Sequence, residues 1–136
     1  MLGVKCLYEV GREYSRSDIY ELLELKEAEQ GGDWLNGYHR HGGDYYVFCN
    51  VGIPGRTGHD HLNYWEDRKL IWHGKASSHF GQPSIQRMLS GEFRVLVFYR
   101  TADRDPFTFA GIGTALPHVD VQRPVRIDWD FRTAGV

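Results

Sequence analysis

The chain of 136 residues is long enough for one domain with a single core. Its 41% apolar and 25% charged residues are those of an ordinary water-soluble domain, and its net charge of −2 excludes a uniformly basic nucleic-acid protein. Charge is unevenly spread: residues 33 to 100 hold eight Lys/Arg against six Asp/Glu and six of the seven histidines, so the middle is mildly basic and the acidic surplus lies towards the two ends.

The first residues, "MLGVKCLYEVGREYS", meet charge early and carry no long apolar core, which predicts no signal peptide. There is no run of 18 apolar residues to form a membrane-crossing helix. Cys6 and Cys49 do not form a CxxC pair, and a reducing, cytoplasmic setting is expected. Residues 4–11 alternate loosely and read as a first strand. "SRSDIYELLELKEAEQGG" reads as a helix, with Ser15 and Asp18 as a capping box, Ile19, Leu22 and Leu23 on one face, and Gly31-Gly32 as its stop. "GGDWLNGYHRHGGD" reads as a polar, glycine-rich loop.

"DYYVFCNVG" is aromatic and β-branched and reads as a strand ending in a turn. "IPGRTGHDHLN" is a loop punctuated by Pro54, Gly55 and Gly58. "KLIWHG" is a short strand. "QPSIQRMLSG" is a short helix with Pro83 in its first turn, Ile85, Met88 and Leu89 on its face and Gly91 at its end. "EFRVLVFYR", "DPFTFAGIGTAL" and "RPVRIDWDF" are further strands. In the last, Val125, Ile127, Trp129 and Phe131 alternate with Arg126, Asp128 and Asp130. The order is not βαβα. It predicts an α+β domain over 1–136, a curled antiparallel β-barrel with two short helices.

Three chemistries compete for the histidine- and tryptophan-rich stretch "GRTGHDHLNYWEDRKLIWHGK". A metal centre would use His39-x-His41 and His59-Asp60-His61, but HExxH and paired CxxC signatures are absent, and no metal or other cofactor is predicted. A hydrolase would need clustered carboxylates or a GxSxG elbow. Neither is present, although a metal-dependent nuclease centred on His59, Asp60 and His61 stays as an alternative. A nucleic-acid surface would use the turn "PGRTGHD": Gly-flanked N–H groups, the Thr57 hydroxyl and Arg56 as a bidentate phosphate partner. Lys75 and Arg100, each following an apolar strand, strengthen that reading if they share one edge. Trp34 and Tyr38, in the polar loop, are expected to be exposed faces for stacking on a base, with Asp60 and Asn63 reading its polar edge. Trp129 is expected in the core, and Trp72 in or beneath the site.

The segments "YSRSDIYELL", "QGGDWLNGY", "FCNVGIPGRTGHDHLN", "LIWHGKASSHFGQPSIQRML", "VLVFYR", "DPFTFAGIG" and "PVRIDWDF" together resemble a class of domains attached to HNH endonucleases and helicase–nuclease fusions in bacterial restriction and defence. The resemblance is collinear over nearly the whole chain. It implies a PUA-like β-barrel akin to the SRA domains that flip and read 5-methylcytosine. It therefore implies a reader of modified bases in double-stranded DNA that works with a nuclease partner and does not itself cut, with an RNA-binding PUA-like module as the neighbouring possibility. The positions matching the class motifs are Arg56, Thr57, Gly58, His59, Asp60, Trp72, Lys75, Gln82 and Arg100. The sequence departs from the class where "WHGK" stands for the more usual W-x-S-Q. Trp34, Tyr38 and Asn63 come from the reading of the residues alone.

Overall fold

The computed structural model describes residues 6–35, 37–52, 63–74, 78–102, 104–117 and 125–131. Among these, eight strands in one sheet and two α-helices make an α+β fold.

The first helix, α1 (Arg16–Leu22), starts with the capping box that the sequence predicts. Ser15 Oγ accepts the Asp18 N–H at 3.0 Å, and Asp18 returns the bond to the Ser15 N–H at 2.9 Å. The helix stops well short of Gly31. Leu23 and Leu25 both pack against the same apolar cluster. Residues two apart point to nearly opposite sides of a helix, so the chain leaves the helix there and Glu24 takes φ +55°. Two 3₁₀ turns follow, Glu27–Glu29 and Gly32–Leu35. The strand expected over 4–11 is not formed among the described residues 6–11, and the short β1 (Glu13–Tyr14) follows it; from 6–12 only Tyr8 is buried in the core, hydroxyl-bonded to Tyr46 at 2.9 Å.

Strand β2 (Tyr38–His41) occupies part of the expected polar loop and turns at Gly42-Gly43 into β3 (Asp44–Asn50). Its polar sequence hides it, because a strand at a sheet edge needs backbone pairing more than an apolar face. β4 (Tyr64–Glu66) turns at Asp67-Arg68 into β5 (Lys69–His73). The second helix, α2 (Pro83–Ser90), has Pro83 in its first turn and ends at Gly91, whose φ of +82° suits a residue without Cβ. β6 (Arg94–Arg100), β7 (Phe107–Ala115) and β8 (Arg126–Phe131) complete the sheet.

The strand order is β2-β3-β6-β7-β8-β5-β4, with β1 pairing the start of β7. Two features depart from the expected curled antiparallel β-barrel. β3 and β6 run parallel, in register from Asp44 opposite Arg94 to Asn50 opposite Arg100. The sheet also stays open: β2 and β4 are its edges, and among the described residues the only bridge joining the two sides is an isolated parallel one, Val51 to Asn63. The sheet nonetheless curls until its ends touch. Tyr38 on β2 meets Trp72 on β5 with ring centroids 5.6 Å apart, and Trp65 on β4 meets Tyr99 on β6 at 5.3 Å.

Alternation along β3 and β6 divides the core in two. Tyr45, Val47, Cys49, Val95 and Val97 face the interior of the curl with Trp72, Ile127 and Trp129, and Ile85 and Met88 of α2 pack against this cluster. Tyr46, Phe48, Leu96 and Phe98 face the other way, against Tyr8, Tyr14, Ile19, Trp34, Phe107 and Phe109. The curl is tightened where Trp129 lies against Gly113: a Cβ there would sit 2.9 Å from the Trp129 ring. No helix among the described residues is long and apolar enough to cross a membrane.

Candidate nucleic-acid interface

The parallel pair β3/β6 brings two strand ends to one rim. Asn50 closes β3 and Arg100 closes β6, and they are register partners. Arg100 Nε donates to Asn50 Oδ1 at 2.7 Å. Its guanidinium stands 4.4 Å from the centroid of the Phe107 ring, a cation–π contact that fixes the plane of the group. One residue on, the Val51 N–H donates to the Arg100 carbonyl at 2.8 Å.

Asn63 ties the rim together. Its Nδ2 donates to the Asn50 carbonyl at 3.1 Å, its Oδ1 accepts the His73 N–H at 2.8 Å, and its carbonyl accepts the Gly52 N–H at 3.1 Å. The ends of β3 and β5 and the entry to β4 are thereby held beside Arg100. Residues 53–62, which contain Arg56, Thr57, His59 and Asp60, lie outside the described residues, and so does Lys75. The described residues that flank the first segment, Gly52 and Asn63, are hydrogen-bonded to one another at this rim. His73, two positions before Lys75, is bonded there as well.

Two of the predicted site residues, Trp34 and Tyr38, are placed differently from expectation. Trp34 is 3% exposed: its 3₁₀ turn presses the indole among Tyr20, His39, Tyr46 and Phe48. Tyr38 is 8% exposed and lies on Trp72, and burial pushes its phenol pKa up. Both are core residues in this conformation, not open stacking faces. Trp72, 2% exposed, sits between Tyr38 and Trp129 in the interior of the curl. Asn63 is at the rim, but both ends of its amide are engaged in holding the backbone. Arg100 is at the rim, at the end of β6 opposite Asn50.

Two kinds of residue escaped the sequence reading. The exposed aromatics are Tyr64 and Trp65, at 39% and 36%, on edge strand β4 directly after Asn63. Trp65 leans on Tyr99 at 5.3 Å and Phe131 at 5.5 Å, which holds the ring while leaving part of it open. The position of Trp65 behind the Arg-Thr-Gly loop was the available signal. The second is Arg16, whose guanidinium lies 5.0 Å from the Phe107 centroid and 4.9 Å from that of Phe48. No motif marks it. Desolvation lowers its pKa, and the charge of Arg100 adds to the effect.

Elsewhere the half-buried arginines are neutralised. Arg94 grips Asp44 at 2.7 and 2.9 Å, and Arg126 grips Asp128 at 2.9 and 3.2 Å. A cavity of about 320 Å³ lies between α2 and the ends of β7 and β8, lined by Phe80, Leu89, Leu116, Arg126 and Ile127. Among the described residues no cluster of three His, Cys, Asp or Glu side chains is arranged to hold a metal ion. His59, Asp60 and His61 are outside that set. No protein-family model matches the chain, and no curated protein matches its sequence.

Proposed function

We propose that this domain binds nucleic acid at the β3/β6 rim and reads a modified base there, 5-methylcytosine in double-stranded DNA, after flipping it out of the helix. The observation that carries the reading is the convergence at one rim of Arg100, the Asn50–Asn63–His73 network and the two ends of the segment bearing Arg56, Thr57, His59 and Asp60. A phosphate needs fixed donors with a net positive charge. A base needs a flat apolar face and polar groups at its edge. The exposed ring of Trp65 supplies the face in place of Trp34 and Tyr38.

The curled sheet supports a PUA-like module. Its open edge between β2 and β4 and its parallel pair are the points where it departs from a closed barrel. The domain acts as a reader in bacterial restriction or defence, in the cytoplasm, with cleavage carried out by a nuclease partner. Each phosphate contact contributes affinity that falls with salt. Burying the methyl group contributes only about 0.8 kcal/mol. Discrimination beyond a few-fold therefore has to come from a penalty against the unmodified base.

The test is a mobility-shift titration of the purified protein on matched duplexes with cytosine, 5-methylcytosine and 5-hydroxymethylcytosine, at two salt concentrations, with magnesium or EDTA. Tighter binding to a modified duplex, unchanged by EDTA and without nicking, supports the reader. Chelator-sensitive nicking replaces it with the nuclease centred on His59, Asp60 and His61. The exposed pair Tyr64 and Trp65 favours a second reading, an RNA-binding PUA-like module, since edge aromatics stack on unpaired bases without needing them flipped. Competition by single-stranded RNA that exceeds competition by duplex selects that reading.

A further inference from the structure

Arg16 opens α1 and Arg100 closes β6, and nothing in their sequence surroundings links them. The fold sets both guanidiniums on one aromatic ring, within 5.0 and 4.4 Å of the Phe107 centroid. Phe107 is itself buried and held by Phe48, whose ring centroid is 5.2 Å away. Each guanidinium is then locked through its inner nitrogen. Arg16 Nε donates to the Trp34 carbonyl at 3.0 Å, and Arg100 Nε donates to Asn50 Oδ1 at 2.7 Å.

The outer nitrogens are the informative atoms. Among the described residues neither Nη of Arg16 has a hydrogen-bond acceptor, and the Nη groups of Arg100 have only the Asp105 carbonyl at 3.5 Å, a marginal contact. No carboxylate among the described residues pairs with either side chain. Arg94 and Arg126, half-buried like these two, each have a bidentate aspartate. Arg16 is partly desolvated and feels the nearby charge of Arg100, and with no carboxylate partner among the described residues an anion joining the two relieves that repulsion. Fixed planes with free end-on N–H pairs match the oxygens of a tetrahedral anion.

We propose that Arg16 and Arg100 form a phosphate-binding site over Phe107. The choice of a backbone phosphodiester as the natural occupant rests on the nucleic-acid reading above; the shared chemistry is a phosphate group, and a free phosphate is the other source. The pair sits at the same rim as Asn50, so a strand held there passes the entry to β4.

The full chain, labelled with ¹⁵N, tests this by following the Nε–Hε resonances of its arginines. Inorganic phosphate is titrated at constant ionic strength against a chloride control. The expected result is a saturable shift of Arg16 and Arg100 with phosphate and none with chloride, while Arg87, exposed on α2, stays unmoved. Arg16→Gln and Arg100→Gln each remove saturation at the remaining partner, and Arg87→Gln does not. Arg16→Lys keeps the charge but loses the fork, and weakens phosphate binding at least fivefold. Absence of a saturable shift in the wild type overturns the site, and that measurement needs no variant to fold. Equal phosphate binding by Arg16→Gln also overturns it.

A 20-base-pair duplex is the second arm. A tenfold or greater loss of duplex binding in Arg16→Gln, with a shallower salt dependence by about one phosphate, assigns the site to the nucleic-acid backbone. A phosphate response with duplex binding indifferent to Arg16→Gln keeps the site and makes a free phosphate its occupant. A phosphate response in a protein that binds no duplex at all removes the nucleic-acid reading and leaves the site standing.

Discussion

Asn63 accepts the backbone N–H of His73 at 2.8 Å and, through the other end of the same amide, donates to the carbonyl of Asn50 at 3.1 Å. One side chain thus ties the end of β5 to the end of β3, across the open side of the sheet, where the only ladder contact among the described residues is the Val51–Asn63 bridge. Asn63→Ala leaves a donor and an acceptor of the backbone without this partner. The expected loss is roughly 1–3 kcal/mol of stability. It is checked by denaturant unfolding, together with faster hydrogen exchange at the His73 amide. Unchanged exchange at His73 counts against Asn63 as the tie.

Trp34 is buried although its polar neighbours suggest an exposed ring, while Trp65 keeps part of its ring open. Trp34→Ala empties a site enclosed by Tyr20, Tyr46 and Phe48 and is expected to lower stability by about 3–5 kcal/mol. Trp65→Ala removes a partly exposed ring at an edge. It is expected to cost about 1 kcal/mol or less in stability while weakening nucleic-acid binding by roughly 1–3 kcal/mol. Thermal unfolding and mobility shifts on the two variants separate these effects. A stable Trp34→Ala protein with impaired binding reverses the assignment.

Much of the fold was legible because its signals are local. Pro83 and Gly91 bracket an apolar face in α2, the Ser15–Asp18 box starts α1, and the alternation of Val125, Ile127 and Trp129 makes β8. The parallel pairing of β3 with β6 was not legible, since Asp44 and Arg94 are 50 residues apart and strand sequences do not state their partners. Trp34 misled for a related reason. Polar neighbours describe the turn that carries it, not the Tyr46–Phe48 surface on which that turn docks. Of the candidate site, Arg100 was legible as a charge at a strand end. Arg16 was not, because its place beside Phe107 exists only after α1 packs on the sheet.

Cys49 and Cys6 are expected to behave differently toward thiol reagents. Cys49 lies in the interior of the curl, and burial pushes its thiol up to about 12. The thiolate is the reacting species, so at neutral pH Cys49 is both inaccessible and protonated. Cys6 is partly exposed. A disulfide-exchange reagent should titrate one thiol rapidly in the native protein and the second only at the rate of unfolding. Cys6→Ser then leaves a protein without a fast-reacting thiol. Rapid reaction of Cys49 in that variant shows that the curl opens in the native state.

His39 gives the fold an acid limb. Its ring lies 4.6 Å from Trp34, and desolvation lowers its pKa from the usual 6.5, opposed by the charge of Asp33 and reinforced by His41. The folded form therefore holds this proton less tightly than the unfolded chain does. At a pH between the depressed folded value and 6.5 the unfolded state binds more protons, so stability rises with pH across that window. The contribution of His39 is fully present above 6.5 and is lost as pH falls through that value towards the folded one. Denaturant midpoints measured across this range should fall on acidification, and more shallowly in His39→Gln, which carries no titrating ring. An NMR titration gives the direct check: a His39 midpoint above 6.5 would reverse the sign of the limb, and with it the inference that the Trp34 contact, not Asp33, governs the ring.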